Sequence, residues 1–249
     1  MYVCFGGPSG AGKSTVARAT KQRLEADGIR CAYYSPFFDT GRSIPYKLWW
    51  GMYLWTYFDW RLYRFFVWES GGRWFWRRRL KHWLWPSYKS LILSYYLAQV
   101  RKGNVDVLMY DEDVLKWRAM AVARGILSEE VIHNLYQESI VNVTKQAVLT
   151  SVAVPPDVAA DRFVRRDEPN ADKQRKEQLV KKSEEHTAAV LDLGESVAAC
   201  TDAEHIVLDG TRPPRDNAEI LAAKVREAMC VDGVEDSDTT TSEEILPRQ

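Results

Sequence analysis

Residues 7–14 read Gly-Pro-Ser-Gly-Ala-Gly-Lys-Ser, a complete G-x-x-x-x-G-K-[ST] phosphate-binding loop. With two glycines, one lysine and one hydroxyl fixed, average residue usage gives well under about 0.05 accidental matches in a chain this long. Ahead of the loop, Tyr2-Val3-Cys4-Phe5 is a short apolar run that reads as a buried strand. Behind it, Ser14-Thr15-Val16-Ala17-Arg18 opens a helix. Strand, loop and helix therefore follow in the order the motif requires. Gly7, Gly10 and Gly12 let the backbone curl so that successive N–H groups point into one concavity. The helix starting near Lys13 adds its positive end. Lys13 brings a point charge to the β- and γ-phosphates, and the Ser14 hydroxyl is a Mg²⁺ ligand. The expected nucleotide-binding residues are Gly7, Pro8, Ser9, Gly10, Ala11, Gly12, Lys13, Ser14 and Thr15, with ATP and Mg²⁺ as their ligands. The plain alternative is a glycine-rich turn that binds nothing.

Working outward, the first helix runs to about Ala26 and stops at Asp27-Gly28, a turn signal. Ile29–Tyr34 reads as a second strand, 91–101 as a helix and Val105–Tyr110 as a third strand. Two helices fill 114–140, with Gly125 between them. Ala147–Val154 is a fourth strand, Asp157–Arg166 a helix, and a long helix then runs to about Ala199. His205–Leu208 is a fifth strand, and a last helix covers 216–229. Strands alternating with helices predict a parallel sheet covered on both faces. The expected fold is α/β: a three-layer P-loop domain over 1–230 with a central five-stranded parallel sheet, interrupted at about 45–88 by an aromatic-rich helical insertion. Residues 231–249 are polar, with six acids against Arg248 alone, and predict a disordered tail.

The composition narrows the function classes. At 249 residues with 46% apolar content, the chain has enough apolar residues for a large core. Basic and acidic residues balance at 34 each, so no global charge draws the protein to nucleic acid or anionic membrane, and nucleic acid is disfavoured as a partner. Cys4, Cys31, Cys200 and Cys230 are scattered with no C-x-x-C pair. That argues for a reducing compartment, hence a cytoplasmic protein, and against a zinc or disulfide framework.

Two further constellations point to chemistry. Asp111 directly follows the third strand, so it belongs at the carboxyl edge of the sheet, where doubly wound folds keep their ligands. A carboxylate there can hold Mg²⁺ through water or accept a proton from an attacking group. The competing role is a helix N-cap, shared with Glu112 and Asp113. Arg162 and Arg166 lie four apart on the helix after strand four and share a face. With Arg165 and Arg175 they can clamp a transferring phosphoryl group. The bland alternative is a charge-mixed solvated helix beside Asp161, Asp167 and Glu168.

On these residues the chain resembles the nucleoside-monophosphate-kinase-like P-loop kinases, and within them the thymidylate-kinase-like proteins. The matching pieces are the loop at 7–14, Met109-Tyr110-Asp111, the segment from Pro155 to Arg166, and Val207-Leu208-Asp209-Gly210-Thr211. The resemblance spans 1–44 and 86–228, and only the phosphate loop within it is specific. It implies a lid at about 157–176 and places the 209–211 turn near the adenine. Two departures stand out. Asp111-Glu112-Asp113 occurs where thymidylate kinases have an Asp-Arg-aromatic triplet. Their Arg-Glu-Pro-Gly-Gly segment after strand two is replaced by 35–42, which leaves Asp39 and Arg42 as weak acceptor-contact candidates. The implied donor machinery is kept and the acceptor side rebuilt. The implied activity is an ATP-dependent transfer of a γ-phosphoryl group to a small-molecule acceptor, with Lys13, Asp111, Arg162 and Arg166 catalytic and Ser14 and Asp111 on the metal. The alternative is a nucleotide-dependent ATPase or switch acting at a membrane surface or on a partner.

The insertion is the chain's oddest stretch. Nine of the ten tryptophans fall between Trp49 and Trp85, and residues 45–96 carry nine Lys/Arg against Asp59 and Glu69. Trp, Tyr, Phe and Arg together are the mixture of membrane–water boundaries. The run argues against a span: the uncharged stretch Leu48–Phe58 has 11 residues, and crossing a bilayer takes about 20. An acceptor-binding subdomain, peripheral membrane docking through 48–85, base stacking on single-stranded nucleic acid and a homodimer interface all remain as readings.

Overall fold

A computed structural model describes residues 1–34, 56, 60, 81–110, 119–120, 122–125 and 128–235. Its elements are β1 (Tyr2–Gly6), α1 (Lys13–Ala26), β2 (Cys31–Tyr34), α2 (Lys81–Arg101), β3 (Val107–Tyr110), α3 (Glu129–Asn134), α4 (Asn142–Thr144), β4 (Ala147–Ala153), α5 (Pro156–Asp167), α6 (Lys173–Cys200), β5 (Ala203–Asp209) and α7 (Pro214–Glu235). A π-helical stretch, Leu135–Val141, joins α3 to α4. The five strands form one parallel sheet in the order β2-β3-β1-β4-β5. This is the three-layer α/β fold with a central five-stranded parallel sheet that the sequence predicts.

Every residue of β1 is buried, because the strand lies inside the sheet with helices on both faces. Alternation sends Tyr2 and Cys4 to one face, where they meet Leu93 of α2, Tyr136 of the π stretch, and Val190 and Leu193 of α6. Val3 and Phe5 go to the other face, against Val16 and Leu24 of α1 and Leu221 and Val225 of α7. Fully burying one such aliphatic or aromatic side chain contributes roughly 1.5–3 kcal/mol, so these two clusters dominate the stability. Surface ion pairs between α1 and α7 add little by comparison. They include Arg23 with Glu219 at 3.0 Å and Arg226 with Asp27.

Several boundaries differ from the sequence reading for identifiable reasons. β2 begins at Cys31, because the Arg30 backbone and guanidinium both donate to the Asp106 carboxylate and form a cap below the sheet. β5 is longer than expected, its Ala203–Asp209 pairing in register with Ala147–Ala153. α2 starts at Lys81, so its first residues reach back into the stretch read as insertion. α7 continues to Glu235, five residues into the stretch read as tail. The helix ending near 140 continues to Thr144, and its middle is π-wound. The wider winding turns Tyr136, Ile140 and Val141 toward the core together. Lys145, with φ 63°, ends it.

Apart from Thr56, Trp60 and the backbone of 81–88, the insertion lies outside the described residues, as does 236–249. Trp60 is 63% exposed. Among the described residues no helix is long and apolar enough to cross a membrane. All four cysteines are free thiols, and burial pushes the Cys31 thiol up to about 11.

Candidate functional site: a phosphate loop beneath the helix that carries Arg162

β1 ends at Gly6 in mid-sheet, and the chain turns at once through the phosphate loop into α1. Gly7, Gly10 and Gly12 have φ of 132°, 89° and 94°, values open to glycine and strained for other residues. The three serve different ends. A Cβ on Gly7 would stand 2.6 Å from the Val152 carbonyl oxygen, so β4 requires glycine there. A Cβ on Gly10 would collide with the Ala159 carbonyl of α5. At Gly12 a Cβ would meet nothing within 4 Å. That glycine is needed for its backbone, and the space beside it is open. Ala11, Val152, Val154 and Ala159 pack into a small apolar cluster that fixes the loop to β4 and α5.

Gly12 is the N-cap of α1, and its carbonyl accepts the N–H groups of Thr15 and Val16 at 3.0 Å. No acid stands in the first turn of α1, so no carboxylate of the helix itself offsets its positive end, which faces the loop. Lys13 Nζ donates to the Gly7 and Pro8 carbonyls at 3.0 and 2.9 Å, lying across the mouth of its own loop. Ser14 is half-buried beside it and its hydroxyl makes no hydrogen bond with a described residue. A hydroxyl left available at the N-terminus of the helix fits a Mg²⁺ ligand. No cluster of three or more His, Cys, Asp or Glu is present among the described residues to suggest another metal centre.

The arginines predicted to act together have separate partners. Arg162 Nη1 donates to the Gly210 carbonyl at 2.9 Å. Arg166 folds back on Asp167 through Nε and Nη2, at 3.0 and 2.7 Å, and lies over the Phe163 ring. That hydrogen-bonded carboxylate raises the Arg166 pKa. Arg175 makes a two-point pair with Glu168 at 2.8 Å, which holds that carboxyl below its usual range. Arg165 makes no hydrogen bond or ion pair with a described residue. Beneath them Ala160, Val164 and Leu179 form a separate apolar cluster between α5 and α6.

The turn after β5 closes the site. Gly210 N–H donates to the Ala153 carbonyl at 2.6 Å, and a Cβ on Gly210 would stand 2.8 Å from the Ala11 carbonyl oxygen. The turn is thereby wedged against the phosphate loop. Thr211 donates to the Asp209 carboxylate through its N–H and hydroxyl, at 2.8 and 2.6 Å, which holds that carboxyl below its usual range. The structure thus brings together residues 7–15, Arg162 and the 209–211 turn. Asp111, Asp39 and Arg42 lie outside the described residues; β3 delivers the chain to the carboxyl edge at Tyr110, with Tyr110 in register with Cys4 of β1.

Sequence reasoning missed Asn217, which is buried in α7 and donates to the Asp209 carbonyl. The available signal was an amide on the apolar stripe of Ala218, Leu221 and Val225. It also missed the packing of the His205 ring against Gly194, where a Cβ would stand 2.4 Å from His205 Nε2, with that nitrogen 2.8 Å from Ser151 Oγ.

No family model matches the chain, and no curated protein matches it. Among solved structures it is similar to deoxyadenosine kinase from M. mycoides with bound dCTP (15% identity, TM-score 0.43) and with bound dATP (11%, TM-score 0.45). It is likewise similar to that enzyme with products dCMP and a flexible dCDP (14%, TM-score 0.43). The matches cover 91%, 91% and 92% of this chain and 100% of the other.

Proposed function

We propose that the protein is an ATP-dependent kinase that moves a γ-phosphoryl group to a small acceptor. The observation that carries this reading is the phosphate loop: three left-handed glycines, a lysine across the mouth and a helix end with no acid in its first turn, all fixed beneath a helix bearing Arg162. A triphosphate entering the concavity would meet the loop N–H groups and draw Lys13 Nζ off the Gly7 and Pro8 carbonyls. Mg²⁺, held by Ser14 with Asp111, would neutralise charge between the β- and γ-phosphates. Arg162 stands at the edge of the loop. Arg166 reaches the transferring group only by leaving Asp167, so the lid closes through an exchange of partners. Asp39 and Arg42 are the proposed acceptor contacts. Segment 48–85 is proposed to enclose the acceptor or to rest on a membrane.

The test is ADP release by the purified full-length chain with Mg²⁺-ATP and a panel of acceptors: deoxynucleosides, nucleoside monophosphates, sugars and polyprenols. Stimulation by one acceptor, with a phosphorylated product, establishes the transfer. Slow hydrolysis that no acceptor stimulates would replace it with the ATPase or switch reading. Absence of ATP binding would overturn the site itself.

A further inference from the structure

Asn217 lies near the start of α7 and is 1% exposed, on the stripe that buries Ala218, Leu221, Ala222 and Val225. Its Nδ2 donates to the Asp209 carbonyl at 2.7 Å, while its Oδ1 is buried and accepts no hydrogen bond. An unmet buried acceptor is a cost that an apolar side chain would avoid, so the donated bond is what the amide is there to make. The Asp209–Gly210 peptide is pinned from both sides. Its oxygen accepts from Asn217 Nδ2 and from the Arg212 N–H at 3.1 Å, and its N–H donates to the Ala153 carbonyl at 2.6 Å. The next carbonyl, Gly210, accepts Arg162 at 2.9 Å, and Gly210 itself sits against Ala11 of the phosphate loop.

We propose that Asn217 is a positioning residue: by fixing the Asp209–Gly210 peptide it aims the Gly210 carbonyl at Arg162, and so sets where that arginine stands beside the phosphate loop. The connection runs from the amide of α7 to the turn, and from the turn to the lid helix. One residue in the floor of the site thus acts on the lid without touching it. The kinetic consequence rests on the phosphotransfer reading; the structural one does not.

Hydrogen exchange on the full chain tests the link directly. Asn217→Leu keeps the branched outline and removes the donor, and Asn217→Gln keeps a donor. Exchange in Asn217→Leu is expected to rise about tenfold, the scale of one lost hydrogen bond, both in 209–213 and in 160–167. In an Arg162→Ala background the added loosening of 160–167 should vanish, since coupled residues are non-additive, and Asn217→Gln should restore much of the protection. Loosening confined to the turn and α7, or additive effects in the double variant, would overturn the proposal. If Asn217→Leu does not fold, Asn217→Ser is measured in the same way. In turnover, Asn217→Leu should lower kcat with little change in KM for ATP. A wild-type chain without turnover that still shows the exchange coupling would sink the kinase reading and leave this one standing.

Discussion

The phosphate loop and α5, the proposed lid helix, touch at Gly10 and Ala159, yet they are held by different kinds of force. The loop is fixed by backbone: left-handed glycines, close approach to Val152 and Ala159, and an apolar floor of Ala11 and Val154. The distal lid is held by a small cluster of Ala160, Val164 and Leu179 and by exposed pairs such as Arg166–Asp167 and Arg175–Glu168. Backbone sterics act at every ionic strength, whereas exposed pairs exchange partners cheaply. The first suits a preformed cradle and the second the proposed lid, which closes by exchanging partners.

The largest effect expected is on Lys13. Lys13→Ala should leave the far-ultraviolet circular dichroism unchanged and lower ATP turnover by about 10³-fold, on the scale of a lost contact to transition-state charge. Wild-type ATP affinity and rate in that variant would dissolve the cradle side of the comparison.

Two glycine variants separate contact from conformation. Gly10→Ala should cost roughly 2–4 kcal/mol from left-handed strain and collision with Ala159, lowering Tm by about 10 °C. Gly12→Ala meets open space and should cost about 1–2 kcal/mol from backbone strain alone, while weakening nucleotide binding. Equal melting temperatures for the two would show that α5 does not press on the loop.

On the lid, Arg162→Ala is expected to lower kcat about 10²-fold and Arg166→Ala about tenfold, with smaller changes in KM for ATP, as for groups acting on a transition state. Effects on KM alone would make them ground-state phosphate contacts and the lid a passive cover.

The smallest effect lies below the loop. Burial holds His205 below its ordinary 6.5, so the unfolded state binds the proton more readily. His205 favours folding fully above about pH 6.5, and this contribution falls as pH drops toward its lowered folded value. Urea midpoints measured from pH 8 to pH 5 should decline less steeply in His205→Gln than in the wild type. Parallel curves would assign the pH dependence to other groups.

The loop was legible because its meaning is local. Gly7 through Ser14 carry their geometry in residue type, and the flanking strand and helix follow by apolar pattern. Spacing also placed Arg162 and Arg166 on one helix, with Asp167 beside Arg166 already legible as a charge neighbour, but the partner of Arg162 was not. It is a Gly210 carbonyl 48 residues away. Asn217 was hidden for a related reason: an amide near a helix start reads as capping chemistry, and only the tertiary fold puts it against a strand-end carbonyl. The fold class followed from alternating strands and helices, whereas strand ends depended on contacts such as Arg30 with Asp106 that no periodicity encodes.

The π-wound stretch Leu135–Val141 also bears on how this chain should be aligned and edited. Each i→i+5 turn holds one residue more than an α-turn, so a relative with an ordinary helix here would be one residue shorter while keeping its Ile140 equivalent inward. A single-residue deletion between 135 and 141 should therefore be absorbed by rewinding, where the same deletion in α6 would rotate every later core residue out of register. Gap placement at this segment carries structural information, and it marks the first position at which to attempt shortening the domain.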